Sequence, residues 1–329
     1  MLSVATLVRA LALLPAIASA AEKFDYDSLS LREVGARNTL DWRVWLEKDG
    51  EPISFWHDIP LYADESKKNI ISFYVEIPRW TDAKIETKRN EPLNPIFHDT
   101  KDDKPRFVES VWPHKTYPIL YGSVPQTWED PNFDHEYTGF PGDNDPVDLF
   151  DVSGIDEGYV GQVKQVKILG ALAMVDDDTT DWKVIAIDIR DPVADLVESV
   201  EDLEKYRPGL AQSMYDWFIY YKVARGNPTN TIVGGDYVNA TTATEVIHES
   251  HEYWLDLMKG KTVAKKINRE QTSNPRWCKT FVEKEVTTEK FGIPKESKIE
   301  PAAKKPEKYE YWYYLDDEFK PIELPGQKM

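Results

Sequence analysis

The hydrophobic and polar positions divide the chain into a first part typical of strands and a second part typical of helices. Between Arg37 and about Asp191, short β-branched and aromatic runs alternate with turn signals. These runs are Trp42–Leu46, Ile70–Ile77, Tyr159–Ile168 and Trp182–Ile189. The pattern predicts a mainly antiparallel β-barrel or β-sandwich.

The period changes after Asp191. Ser199-Val200-Glu201-Asp202 has the composition of a helix start, and apolar residues recur at helical spacing between Ala243 and Met258. We therefore expect helices packed on the β core, which gives an α+β fold that is mainly β with flanking helices.

The composition of the N-terminus indicates a targeting segment. Leu7–Ala20 is nearly all apolar, Arg9 is the only charge before Glu22, and Ala18-Ser19-Ala20 is a small-residue cleavage site. Residues 1–20 are predicted to be a secretory signal peptide, with a mitochondrial transit peptide as the alternative. The run is too short for a stable membrane span. The sequon Asn239-Ala240-Thr241 favours the secretory pathway or the extracellular space.

The C-terminal part has a third composition. From Lys261 to about Glu307 it is rich in Lys, Glu, Thr and Pro with little periodicity, and it ends in the aromatic cluster Tyr309–Tyr314. We expect this cluster to dock on the domain. The chain then divides into a catalytic domain at residues 21–260 and a largely irregular extension at 261–329.

Charge and cysteine content limit the classes of partner. The chain of 329 residues carries 58 acidic and 40 basic groups, a formal charge of −18, which repels nucleic acid. An anionic ligand would need metal cations to mediate its binding. Cys278 is the single cysteine, so the chain has neither an internal disulfide nor a zinc–sulfur site.

Candidate chemistry is densest in the segment Asp143-Asn144-Asp145-Pro146-Val147-Asp148, where three carboxylates crowd into six residues. Such crowding raises the pKa of each group unless hard cations neutralise it, and Mg²⁺ prefers carboxylate oxygens. A calcium hand is excluded, because Gly154 stands where the loop requires Glu. An acidic surface turn remains the alternative for this segment alone.

Two other segments place a lysine and a carboxylate on one face of a strand. Strand alternation puts Asp181 and Lys183 on the same face, after the acidic run Asp176–Asp178, and it does the same for Lys84 and Glu86. Each pair offers an oxygen ligand for a metal beside a cation for phosphate. An exposed ion pair is the alternative for either pair taken alone.

Residues Asp143–Asp148 resemble the D-x-D-P-x-D signature of the family I soluble inorganic pyrophosphatases. The resemblance to the fungal and animal branch runs from about Val34 to about Gly260, and the leader and most of the tail depart from it. The other segments that carry it are Arg37–Leu40, Phe55–Tyr62, Val75–Trp80, Pro125–Pro131 and Thr180–Asp188.

The resemblance implies a five-stranded barrel of the oligonucleotide-binding (OB) type and hydrolysis of pyrophosphate to two phosphates with several Mg²⁺ ions per site. It implies direct attack by a metal-activated water with Asp145 as general base. The implied metal ligands are Asp143, Asp148, Asp181, Asp176, Glu86 and Glu76. The implied substrate-binding residues are Lys84, Arg106, Tyr117, Tyr121, Lys183, Tyr221 and Lys222; Lys84, Arg106 and Tyr121 are also assigned to catalysis.

Family resemblance further implies a homodimer, with Trp80 a candidate for the interface, and a cytoplasmic location as the family's default. Two other functions remain open. One is a catalytically altered paralogue of the secretory pathway that binds metal or phosphate, and the other is a hydrolase of organic phosphates that uses the same metals.

Overall fold

The computed structural model describes residues 24–325, so the predicted leader at 1–20 lies outside the described residues. The strands are β1 (Leu29–Ala36), β2 (Arg43–Lys48), β3 (Glu51–Ile53), β4 (Ile70–Ile77), β5 (Ile85–Thr87), β6 (Ile96–His98), β7 (Thr100–Lys101), β8 (Lys104–Pro105), β9 (Ser110–Val111), β10 (Leu120–Ser123), β11 (Asp148–Asp151), β12 (Val163–Asp176), β13 (Thr179–Asp188), β14 (Thr231–Ile232), β15 (Val238–Asn239), β16 (Lys298–Glu300) and β17 (Trp312–Tyr313). The α-helices are α1 (Val200–Tyr206), α2 (Leu210–Tyr220), α3 (Ala240–Lys259) and α4 (Thr287–Phe291).

Five strands close into a barrel. Strand β4 pairs with β10 and with β12, β10 pairs with β11, and β13 closes the ring by pairing with both β11 and β12. The β11–β13 pair is parallel and the other four are antiparallel. The predicted fold, mainly β with flanking helices around a five-stranded OB-type barrel, is confirmed.

A second sheet lies beside the barrel in the order β16-β1-β2-β6-β5, with β3 on the other edge of β2. Its strand β5 carries Glu86 and directly follows Lys84. Because β5 also contacts β4 of the barrel, this sheet brings a lysine and a carboxylate to the end of the barrel.

Helices cover two different faces of the barrel strands. On β13, Ile185 belongs to the hydrophobic cluster that includes Trp217 and Phe218 of α2, while Val184 belongs to the cluster that includes Val246 of α3. Alternate residues of one strand therefore pack under different helices, as the pleat requires.

Helix α3 has a capping residue at each end. The Asn239 side chain accepts a hydrogen bond from the Thr242 backbone N–H at 2.9 Å and so caps the N-terminus. Gly260 ends the helix in the left-handed region, at φ 70°, where glycine carries no steric penalty.

The C-terminal segment packs back on the domain. Strand β16 runs parallel to β1 and β17 parallel to β9. Tyr313 of β17 is 3% exposed and lies in a cluster with Val111, Tyr220 and Val223, which confirms the predicted docking of the aromatic run. The domain boundary at residue 260 remains a prediction.

None of the helices in residues 24–325 has the length and apolar character needed to cross a bilayer.

Candidate active site

The acidic loop before β11 is held by backbone bonds to a neighbouring segment. The Glu129 N–H donates to the Asp145 carbonyl at 2.9 Å, and the Asn144 N–H donates to the Glu129 carbonyl at 3.0 Å. The Val147 N–H donates to the Thr127 hydroxyl at 3.0 Å. Residues 142–148 thus lie along residues 124–130, which fixes the positions of the loop's carboxylates.

The loop and the ends of the barrel strands surround a cavity of about 160 Å³. Twelve of the fourteen predicted site residues line the cavity; the other two, Tyr117 and Lys222, contact the lining residues Tyr121 and Asp176. The residues that line the cavity are Glu76, Lys84, Glu86, Thr87, Arg106, Tyr121, Ser123, Asp143, Asp145, Pro146, Asp148, Asp176, Asp181, Lys183 and Tyr221.

Lys183 links the carboxylates of two adjacent strands. The parallel register sets Asp148 of β11 opposite Lys183 of β13, and the ammonium group donates to Asp148 Oδ2 at 2.5 Å and also to Asp181 Oδ1. The Tyr121 hydroxyl donates to the same Asp148 oxygen. Asp148 and Asp181 are therefore held together by a cation of the chain itself.

Asp145, the predicted general base, points into the cavity and forms an ion pair with Arg89 at 2.8 Å. Burial raises the pKa of Asp145 to about 7; Arg89 opposes this change and Glu86 adds to it. A carboxylate whose pKa lies near neutrality can accept and release a proton at physiological pH.

Glu76, Asp181 and Asp143, three other carboxylates of the cavity, also have raised pKa values. Burial and the neighbouring Asp148 raise the pKa of Glu76 to about 8. Burial raises the pKa of Asp181 to about 7 although Lys183 opposes it, and burial raises the pKa of Asp143 well above its usual range. Divalent cations would relieve this crowding by neutralising the charged forms.

Lys84 and Glu86 lie together, as strand alternation predicts, with 2.9 Å between the ammonium nitrogen and the carboxylate. The Lys84 ammonium lies 5.2 Å from the centre of the Tyr121 ring and 5.9 Å from that of Tyr117. Burial alone would lower the pKa of Lys84, but Glu86 and both tyrosines outweigh it and raise it well above the usual value. Lys84 therefore stays charged in the cavity.

Arg106, Tyr221 and Lys222 complete the basic side of the site. Arg106 donates to Asp99 at 2.9 Å, and its Nε is buried without a hydrogen-bond partner. Lys222 pairs with Asp176, the carboxylate at the end of β12, and burial raises the pKa of the Tyr221 hydroxyl. The roles predicted for these residues remain predictions, while their proximity is observed.

Sequence reasoning missed two charged residues of the site. Arg89 pairs with Asp145, and Glu129 lies among the carboxylates Asp143 and Asp181. Glu129 falls in one of the segments that resemble the family. Its only acidic neighbour in the sequence is Asp130, and one adjacent carboxylate does not by itself indicate a metal ligand. Arg89 follows β5 without any local pattern that points to the cavity.

The carboxylates fit a hard divalent cation. One ligand oxygen from each of Glu129, Asp143 and Asp181 lies within 4.8 Å of the others, and carboxylate oxygens are the ligands that Mg²⁺ prefers. Among residues 24–325, these three side chains form the one group of potential metal ligands whose oxygens lie this close together. The donor set contains oxygen and no sulfur, which disfavours soft metals.

A larger cleft of about 740 Å³ lies between α3 and the segment that contains His135 and Tyr137. Its described walls bear four glutamates, Glu136, Glu245, Glu249 and Glu252, and no lysine or arginine. This cleft offers phosphate no cationic side chain, whereas the smaller cavity adds Lys84, Arg106 and Lys183 to its carboxylates, so the smaller cavity at the barrel end is the candidate active site.

Carboxylates able to hold divalent cations face lysine, arginine and tyrosine across a small cavity, and this combination defines a centre for metal-assisted phosphoryl transfer. The sequence profile of the inorganic pyrophosphatase family matches residues 73–255. The chain belongs to this family.

Similar proteins extend the match beyond that region. An inorganic pyrophosphatase of Kluyveromyces lactis is 50% identical over 248 residues, which is 75% of this chain and 86% of that protein. One of Debaryomyces hansenii is 44% identical over 290 residues, 88% of this chain and 98% of that protein.

Solved structures agree with the fold. The inorganic pyrophosphatase of Schistosoma japonicum superimposes with a TM-score of 0.79 at 35% identity, covering 87% of this chain and all of that one. A truncated vacuolar soluble pyrophosphatase of Trypanosoma cruzi, solved in complex with PPi, superimposes with a TM-score of 0.65 at 35% identity, covering 76% of this chain and all of that one.

Proposed function

We propose that this chain is a Mg²⁺-dependent inorganic pyrophosphatase that hydrolyses pyrophosphate to two phosphates. The observation that carries the proposal is the single cavity in which Asp143, Asp148 and Asp181 face Lys84 and the other cationic and phenolic groups. The activity named for the relatives supports the same substrate.

Different carboxylates would bind different metal ions. Asp143, Asp148 and Asp181 would hold one ion, Asp148 would contribute to a second, and Glu86 and Asp176 would contribute, with Asp181, to the ions that arrive with substrate. Bound Mg²⁺ supplies a water of lowered pKa and neutralises charge on phosphate oxygens.

Asp145 takes or orients the proton of the attacking water. Its pKa near 7 suits this role, since a general base works best when its pKa is close to the operating pH. Arg89 fixes the direction of the carboxylate through the ion pair at 2.8 Å. Attack by water on phosphorus requires no covalent phosphoenzyme.

The basic side of the cavity holds the substrate. Lys84 and Tyr121 would bind the phosphoryl group under attack, because the ammonium lies beside the phenol ring. Arg106, Tyr221 and Lys222 would stabilise negative charge on the departing phosphate.

Phosphate release from a panel of substrates tests this proposal. We expect rapid hydrolysis of pyrophosphate with Mg²⁺, little hydrolysis of nucleotides and sugar phosphates, and loss of activity with a chelator. Faster hydrolysis of an organic phosphate would favour the organic-phosphate hydrolase, and absence of hydrolysis from any of them would favour the altered paralogue.

We also propose a homodimer, since Trp80 is 49% exposed and a surface indole of this kind suits an interface. Light scattering of the wild type and of Trp80→Ala tests it: the wild type should have twice the mass of the chain and the variant should shift towards monomer. A monomeric wild type would contradict the proposal.

Secretion remains a proposal that concerns residues 1–20 and the sequon. The Asn239 side chain is exposed, and its Oδ1 caps α3. The full chain, expressed in its native cell, should yield a protein that starts near Ala21 and bears a glycan on Asn239. A cleaved but unglycosylated protein inside mitochondria would favour the transit peptide instead.

A further inference from the structure

Glu129 is a buried carboxylate that the proposed mechanism leaves without a task. It is 4% exposed, and its Oε1 accepts a hydrogen bond from the Trp182 N–H at 2.9 Å. Its Oε2 is buried and has no hydrogen-bond partner. A buried carboxylate oxygen without a partner is costly, and a bound cation would offset that cost.

The surroundings of Glu129 specify the charge of that ligand. Oxygens of Glu129, Asp143 and Asp181 lie within 4.8 Å of one another. Asp143 uses Oδ1 to accept from the Asp145 N–H, and Asp181 uses Oδ1 to accept from Lys183. Three ionised carboxylates this close repel one another, and a divalent cation bound among them would neutralise that repulsion.

Glu129 is also held in place from both sides. Its backbone N–H and carbonyl bond to the loop that carries Asp143 and Asp145, and its side chain bonds to the strand that carries Asp181. A residue anchored to both ligand-bearing segments keeps its oxygen at a fixed distance from them, as a metal centre requires.

We propose that Glu129 is a further ligand of the divalent ion that Asp143 and Asp181 hold, contacting it through Oε2 either directly or through one of the ion's water molecules. The inference rests on the proposed metal requirement. It adds a fourth carboxylate to Asp143, Asp148 and Asp181.

The test is Glu129→Gln, measured without substrate. Glutamine keeps the side-chain volume and the oxygen that accepts from Trp182, but it removes the negative charge. Calorimetric titration of the metal-free protein with Mg²⁺ and Mn²⁺ should show affinity for the tightest ion about 10- to 100-fold weaker than in the wild type. The rise in melting temperature on adding metal should be correspondingly smaller.

Glu109→Gln is the matched control. Glu109 is 3% exposed and its Oε2 also lacks a hydrogen-bond partner, but it lies beside Arg225 and Lys308 rather than beside Asp143 and Asp181. Its substitution should leave metal affinity unchanged. A loss of stability in metal-free Glu129→Gln, with wild-type affinity for both metals, would mean that Glu129 is only structural.

Equal affinity in wild type and Glu129→Gln would overturn the assignment. If stability is unchanged as well, that outcome would indicate a protonated Glu129 that donates to Asp143, since the glutamine amide can donate in the same way. Absence of metal binding by the wild type would overturn the metal requirement itself, so the two failures are distinguishable.

Discussion

At the residue scale, His57 is a buried imidazole with both ring nitrogens engaged. Its Nδ1 accepts from the Trp254 indole N–H at 3.0 Å, so its Nε2 carries the proton and donates to the Asn268 carbonyl, also at 3.0 Å. Burial lowers the pKa of His57 to about 4. Protonation at Nδ1 would break the bond to Trp254.

This arrangement predicts a loss of stability in acid. The imidazole of the unfolded chain has the ordinary histidine pKa of 6.5, so between pH 6.5 and 4 the unfolded state binds more protons, and stability falls as the pH falls. His57 should account for about 3 kcal/mol of the unfolding free energy lost between pH 7 and 4.

Urea unfolding across that range measures the effect. His57→Gln should lose about 3 kcal/mol less than the wild type. His248→Gln, which changes an exposed imidazole of α3, should lose as much as the wild type. Identical losses in wild type and His57→Gln would contradict the assignment.

Local sequence indicated the site residues that cluster within a few positions. Asp143, Asp145 and Asp148 share one loop, and Asp181 and Lys183 share one strand face, so spacing alone drew attention to them. Glu129 was missed because its partners are spatial rather than sequential: its proximity to Asp143 exists only after residues 124–130 pair with residues 142–148.

At the element scale, the pairing of those two segments requires a glycine. A Cβ on Gly142 would lie 2.3 Å from the Glu129 carbonyl carbon and 2.7 Å from the Asp130 nitrogen. Both contacts are with backbone, so the segments would have to separate. The separation would displace Asp143 and Asp145 together.

Gly142→Ala should therefore impair catalysis as well as folding. We expect turnover of pyrophosphate to fall about 10²-fold, since displacement of catalytic groups by about 1 Å has that effect, and stability to fall by about 1–3 kcal/mol. Gly154→Ala is the control, because its Cβ would approach only the end of Arg207 at 3.9 Å. Wild-type turnover and stability in Gly142→Ala would show that close pairing of the two segments is not needed to position Asp143 and Asp145.

Element prediction succeeded where the period was clear and failed where composition misled. The run Ile70–Ile77 coincides with β4, and the helical spacing from Ala243 to Met258 lies within α3. Helix α2 was not predicted, because it is rich in aromatic residues that are typical of strands, among them Trp217 and Phe218. Its packing on the barrel overrides that preference.

Strand β12 shows a related failure. The predicted run Tyr159–Ile168 captures only its first half, whereas the strand extends to Asp176. Residues Gly170–Ala173 have no β-branched or aromatic side chain and therefore a weak strand preference. They form a strand because β13 pairs with them along its whole length, which sequence alone does not reveal.

At the scale of the whole molecule, the C-terminal segment is part of the folded body. Tyr313 is 3% exposed, and its carbonyl accepts from the Trp112 N–H at 2.9 Å. Composition predicted an irregular extension, and the segment does have little regular structure. Burial of single residues such as Ile267, Val282 and Ile293 attaches it to the rest.

Tyr313→Ala should lower the free energy of unfolding by about 3 kcal/mol, because a large buried ring leaves a cavity when truncated. Tyr314→Ala should change it by less than about 1 kcal/mol, since Tyr314 is 38% exposed. Both variants should keep their turnover of pyrophosphate, because neither ring lines the active-site cavity. Equal destabilisation by the two substitutions would show that β17 is not packed as described.

The central claim is that this chain hydrolyses pyrophosphate at the barrel-end cavity with Asp145 as general base. The most direct test is the rate of phosphate release from pyrophosphate with Mg²⁺ by the wild type, Asp145→Asn and Asp195→Asn, an exposed aspartate elsewhere. Asp145→Asn should fold, bind Mg²⁺ and turn over at least ~100-fold more slowly, while Asp195→Asn keeps the wild-type rate. Near-normal turnover by Asp145→Asn would contradict the account.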